Sequence, residues 1–258
     1  RATARLHLAG AYQMAGDLER AHAVVAEGEI EDAAEPHLLR VRNTVSGCFI
    51  CWMAADLRGV LQTAHHVIGV DEAATLDESR GGGHCLLAAA AYQRNDLAEA
   101  ERHAALVFEQ RYGCDSLVVA HSACVLAAVY QACDRPEDAR RTLAQARDYL
   151  QEMRRSALLP LVQAFGAELA AMQGDLDTAG RWAATVGPRI PLGLMPFFYA
   201  PELTLPKVLL VMNTPASRQQ AAGALAKLHA FVTATHNTRF LIDVLALEAL
   251  LHAAEGNE

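Results

Sequence analysis

Apolar and small residues recur along this chain at helical intervals, and short polar breaks interrupt them at nearly constant spacing. The stretch Leu126–Leu143, LAAVYQACDRPEDARRTL, shows the unit. Leu126, Ala127 and Tyr130 fall on one helical face, the stripe an amphipathic helix buries. Asp134-Arg135-Pro136 breaks the pattern. Pro136 lacks a backbone N–H and has its φ preset, so it suits the first turn of a new helix. Glu137 and Asp138 then place negative charge at the positive end of the helix dipole. Ala139 is small where two antiparallel helices must approach closely. The unit is a helical hairpin.

Leu18, Leu57, Leu97, Pro136, Leu176 and Pro215 each follow such a turn, and they lie 39, 40, 39, 40 and 39 residues apart. A last half-unit ends in Glu255-Gly256-Asn257-Glu258. Self-similarity at this period is the mark of a helical-repeat protein. First helices are predicted at about Arg1–Ala15, His37–Ala55, Gly83–Arg94, Ser116–Cys133, Ala157–Gln173, Tyr199–Met212 and Thr238–Ala254. Second helices are predicted at about Leu18–Glu27, Leu57–Val70, Leu97–Tyr112, Pro136–Arg154, Leu176–Val186 and Pro215–Thr235. Ala9 with Ala21, Ala88 with Ala100 and Ala127 with Ala139 mark the close contacts inside hairpins. Asp17, Asp56, Asp96 and Asp175 recur at one position of the repeat, as helix caps would. The expected architecture is all-α: a right-handed α-solenoid of about six and a half hairpins, with residues 1–258 forming one helical-repeat domain.

Two stretches depart from the pattern. Leu76–Gly83 (LDESRGGG) reads as a flexible connector, because three consecutive glycines disfavour a helix. Gly187–Phe198 (GPRIPLGLMPFF) holds three prolines and ends in an aromatic pair, so it is expected to lie against the superhelix interior or a partner. Pro206 should kink its helix or mark the true start.

Composition sharpens this picture. Alanine and leucine dominate and no period-2 alternation persists, which favours helix throughout. The net charge of −8, with Lys207 and Lys227 the only lysines, argues against a nucleic-acid surface. Every apolar run is too short to span a membrane. The chain opens in a helical pattern at Arg1 without an initiating methionine, so no signal peptide is expected and the chain is taken as a fragment of a longer, cytoplasmic protein.

Candidate chemistry is sparse. Cys48-Phe49-Ile50-Cys51 and the pair His121/Cys124 have metal-ligand spacing, yet both lie in apolar helical surroundings and read as packed, reduced thiols. His65-His66 and His84-Cys85 are adjacent pairs that point to different helix faces, so they are expected as surface or interface side chains. Gly81-Gly82-Gly83 follows no strand and precedes no lysine, unlike a phosphate-binding loop. No nucleophile elbow or acid–base constellation is present. Neither enzymatic activity, a metal nor a cofactor is expected.

Leu8-Ala9, Tyr12 and Ala21 resemble the tetratricopeptide repeat in their relative spacing, on a longer period. Pro201-Glu202-Leu203-Thr204-Leu205-Pro206-Lys207-Val208-Leu209-Leu210, after a connector rich in proline and aromatics, is similar to the central sensor region of MalT-like LuxR-family transcriptional regulators, with Pro206 in place of the usual alanine. That resemblance implies a bacterial module that senses a small-molecule inducer or protein partner. It also implies a nucleotide-binding ATPase and a DNA-binding helix-turn-helix elsewhere in the full-length chain. Neither a phosphate loop nor a basic recognition helix occurs in this sequence. Carried over from tetratricopeptide arrays, the concave, ligand-facing positions are Gln13, Trp52, Gln93 and Gln131 in one row, with Arg42, His121 and Glu168 beside it. The alternative function is a protein-interaction scaffold attached to another effector, such as a serine/threonine kinase.

Overall fold

Capped turns divide the chain into its helices. The Asp17 carboxylate accepts from the Arg20 backbone N–H at 3.1 Å, Asp56 from Gly59 at 2.9 Å, Asp96 from Glu99 at 3.4 Å and Asp175 from Thr178 at 3.0 Å. Thr214 and Ser217 form a reciprocal capping box at the corresponding place. Each cap satisfies an amide that the helix leaves open, a contribution of about 1 kcal/mol. Just before these caps, Gly16, Ala55, Asn95, Asp134, Gly174 and Asn213 take left-handed φ values of 49° to 81°. They lie 39, 40, 39, 40 and 39 residues apart, and each ends the preceding helix.

The structure is a computed structural model that describes residues 5, 8–12, 15–31, 47, 50–69, 78–186 and 198–256. Its helices, in chain order, are α1 Leu18–Glu31, α2 Leu57–Gly69, α3 Glu78–Gln93, α4 Leu97–Glu109, α5 Ser116–Ala132, α6 Pro136–Glu152, α7 Leu159–Met172, α8 Leu176–Thr185, α9 Thr204–Met212, α10 Pro215–Ala234 and α11 Thr238–Glu255. Residues 8–12 and 50–53 are also helical, and no strand occurs among the described residues. No helix among them is long and apolar enough to cross a membrane.

From α2 onward, each helix packs on the next in sequence. The first helices of the hairpins, α3, α5, α7, α9 and α11, also pack on one another in a row, and the second helices have no comparable mutual contact. One layer is therefore continuous and the other rides on it. Ala9, Ala21, Ala88, Ala100, Ala127 and Ala139 are all fully buried. Helix α5 is enclosed on its whole circumference, with every residue from Val118 to Val129 buried. Arg135 ties adjacent hairpins from outside: its guanidinium stacks 4.1 Å from the Tyr130 ring and binds Glu101 at 2.9 Å and Asp138 at 2.8 Å.

The triglycine stretch is not a connector. Gly81, Gly82 and Gly83 lie buried inside α3. A Cβ on Gly81 would stand 2.9 Å from Cys114 Sγ, and one on Gly83 would stand 3.3 Å from side-chain atoms of Val67 and Ile68. Glycine is used here for close helix approach, and tertiary packing outweighs its poor helix propensity. Pro206 marks a helix start, as one reading of it required. The turn Pro201–Leu203 leads into α9, and Pro206 sits in the first turn, where no amide is needed. Residues far apart in the sequence also meet. The Arg239 guanidinium lies 5.4 Å from the Trp52 ring centroid, and the His236 imidazole packs against Gly16.

Replacing Ala139 with Leu would force α5 and α6 apart. A loss of about 1–3 kcal/mol from overpacking is expected, read as a lowered midpoint in a thermal or denaturant melt.

Candidate functional site

The described residues expected to line a concave row differ in exposure, and most are not open to solvent. Gln13 and Arg42 lie outside the described residues. Gln93 is exposed at the end of α3. Gln131 is half-buried and accepts a hydrogen bond from Gln173 Nε2 at 2.7 Å. Trp52, His121 and Glu168 are 0%, 3% and 4% exposed, so these three do not face an open groove. Trp52 is covered by Arg239, and burial holds the His121 imidazole down to about 3.

Glu168 is buried for a visible reason. The segment leading into α9 covers the face of α7 that carries it. Lys207 Nζ donates to Glu168 Oε1 at 2.5 Å, and the Thr204 hydroxyl donates to Oε2 at 3.2 Å. Tyr199 hydrogen-bonds Thr204 and packs edge-on against Phe165, with ring centroids 4.9 Å apart. Phe198 makes a similar contact with Tyr92 of α3 at 5.6 Å. The aromatic residues after the connector thus occupy first-helix surface that a ligand would otherwise reach. Phe197 and the connector residues 187–197 fall outside the described residues.

His84, expected at a surface or an interface and not paired with Cys85, lies buried between α3 and α4. Its Nδ1 lies 2.7 Å from Nδ1 of His103, and both rings are buried. Arg102 donates to His103 Nε2 at 2.9 Å, so His103 carries its proton on Nδ1 and donates it to His84. Burial first, then His103, Arg80, Arg102 and His65, lowers the His84 imidazole to about 4; burial first, then Arg102 and His65, lowers His103 to about 4, while Glu99, whose carboxylate lies 3.6 Å from His103 Nε2, pulls the other way on His103. Burial raises the thiols of Cys51 and Cys85 to about 11 and that of Cys124 well above its ordinary value, which suits packed rather than reactive cysteines. His65 and His66 are exposed on α2. Cys48 lies outside the described residues, and no cluster of three metal-ligating side chains forms among the rest.

A cavity of about 800 Å³ opens where α7, α8, α9 and α10 meet. Its walls are mainly apolar, with Trp182 from α8, Leu205 and Leu209 from α9 and Leu228 from α10. Gln163, Gln220, Lys227 and Glu202 add polar groups. Glu202 stands in the turn before α9. Its Oε2 is buried and meets no donor among the described residues. Burial raises its carboxyl above the usual range, against a small opposing pull from its own backbone N–H. Cavities of this size and lining are those that hold small molecules. Sequence reasoning missed this site because its residues come from four helices with no common spacing. The one available signal was the break in the repeat at residues 187–198, which stands in sequence between the lining residues Val186 and Pro201.

No family model, no curated protein and no solved structure matches this chain.

Two outcomes follow from these clusters. Lys207→Met would leave Glu168 as a buried charge without its counterion. Because Lys207 is itself partly exposed, a loss of about 2–3 kcal/mol is expected in a denaturant melt, below the range for fully buried pairs. The histidine pair sets a pH dependence. Unfolded imidazoles take up protons near pH 6.5 and the folded pair only near 4, so stability falls as pH drops through that window and is level above it. Melting temperature should fall by several degrees between those pH values, and the double variant His84→Leu, His103→Leu should flatten the slope.

Proposed function

We propose that this chain is the ligand-sensing helical-repeat module of a bacterial LuxR-family, MalT-like transcriptional regulator. On this reading it is a right-handed α-solenoid of tetratricopeptide-like hairpins with a repeat of about 40 residues. It has no catalytic role, and the ATPase and DNA-binding domains lie elsewhere in the full-length cytoplasmic protein. The regular recurrence of left-handed turn residues and the continuous row of first helices support the architecture. The observation that carries the function is the cavity. The segment Pro201–Leu210, on which the family resemblance rests, also supplies one cavity wall through Pro201, Glu202, Leu205 and Leu209. A ligand there would bridge two hairpins that otherwise meet only through their helix faces, and would stabilise their packing by mass action.

A second reading, an interaction scaffold attached to an effector such as a serine/threonine kinase, is favoured by α11. Ile242, Leu245 and Leu250 are 52%, 48% and 60% exposed along that helix, an apolar surface suited to a partner.

Gly223 separates the cavity from other candidate sites. It lines the cavity, and a Cβ placed on it meets nothing within 4 Å. Gly223→Phe should therefore fill the space without disturbing α10. In a small-molecule screen read by melting temperature, hits should stabilise the native chain and lose their effect on Gly223→Phe. Hits that stabilise both equally would place the ligand site elsewhere.

A further inference from the structure

We propose that the cavity takes an elongated hydrophobic carboxylate, its apolar body over Gly223 and Ala224 and its head on the Lys227 ammonium. This rests on reading the cavity as the ligand site and adds the chemistry of the ligand. Gln220, Gly223, Ala224 and Lys227 stand at i, i+3, i+4 and i+7 along α10, so one face of that helix lines the cavity. The two middle positions carry almost no side chain, and a Cβ on Gly223 would meet nothing within 4 Å. Open space therefore follows α10 for about 10 Å, from a neutral amide at one end to an ammonium at the other. Trp182, Leu205 and Leu209 add apolar walls, which suit a hydrocarbon or aromatic body. The charge of the head follows from the groups around this space. Lys227 and Glu202 are the only charged residues among those that line the cavity. Lys227 is exposed, and no ion pair among the described residues engages it. Glu202 keeps Oε2 closed off from solvent, and burial raises its carboxyl above the usual range, which favours the neutral form. A ligand arriving from the open space thus meets positive charge. Because Lys227 is solvated, the ion pair adds selectivity for a carboxylate, and the apolar body supplies most of the affinity.

Three probes with one chain and different heads test this: octanoate, octanol and octylamine. Trp182 lines the cavity and the only other tryptophan, Trp52, is fully buried, so a change in tryptophan emission reports occupancy alongside melting temperature. Octanoate should bind the native chain about fivefold more tightly than octanol, with octylamine weakest, and salt should narrow that margin. Lys227→Met keeps the stem and removes the charge, so octanoate should fall to the level of octanol while octanol is unchanged. Lys227→Arg should keep the preference. Gly223→Phe should abolish binding of all three. Equal binding of the three that is lost on Gly223→Phe would keep the cavity as a ligand site and overturn the carboxylate. A preference for octylamine would also overturn it, as would a preference for octanoate that survives Lys227→Met. Binding that Gly223→Phe leaves intact, or failure of every probe to bind the native chain, would overturn the carboxylate and the cavity reading together.

Discussion

Helix α5 has no free side, and much of the molecule is arranged around that fact. Its residues from Val118 to Val129 are buried against α3, α4, α6 and α7. A helix that is apolar all round must be enclosed, because any exposed face would leave hydrocarbon in water. Enclosure demands close neighbours, and small residues provide them: Ala127 against the hairpin partner, Gly81 against Cys114, Ala88 and Ala100 one hairpin earlier. The row of first helices is thus a core as much as a surface.

That constraint moves the place where a ligand can sit. In an array with an open concave side, a ligand would touch several first helices at once. Here Phe198, Tyr199 and the start of α9 lie across α3 and α7, and an ion pair between buried Glu168 and half-buried Lys207 fastens them there. Open space appears instead between α7–α8 and α9–α10. The turn and helix that fill one surface also line a cavity beside it, through Pro201, Glu202, Leu205 and Leu209.

The buried polar groups divide into two kinds. His84 with His103, and Glu168 with Lys207 and Thr204, are satisfied within the fold and act on its stability and pH response. Glu202 is satisfied only in part, through its own backbone amide. Satisfied networks fix a structure; a buried oxygen without a donor costs it stability.

The sequence by itself determined the all-helical class, the hairpin turns and their caps. Those features depend on neighbours in the chain: aspartate accepts from the amide three residues on, proline opens α6, and alanine marks the tight crossings whatever lies farther away. It also carried, unread, the burial of the first helices. The run from Val118 to Val129 has only His121 and Ser122 as polar side chains and no polar stripe to face a groove. Only the tertiary structure decided that three glycines belong inside α3, since their fitness depends on Cys114, Val67 and Ile68 standing at the same place in space. The burial of Trp52 beneath Arg239 and the pairing of His84 with His103 join residues from different helices, and no local spacing encodes them. The cavity belongs to this second kind. Its walls come from four helices and a turn that no spacing along the chain relates, so the cavity is a property of packing in three dimensions.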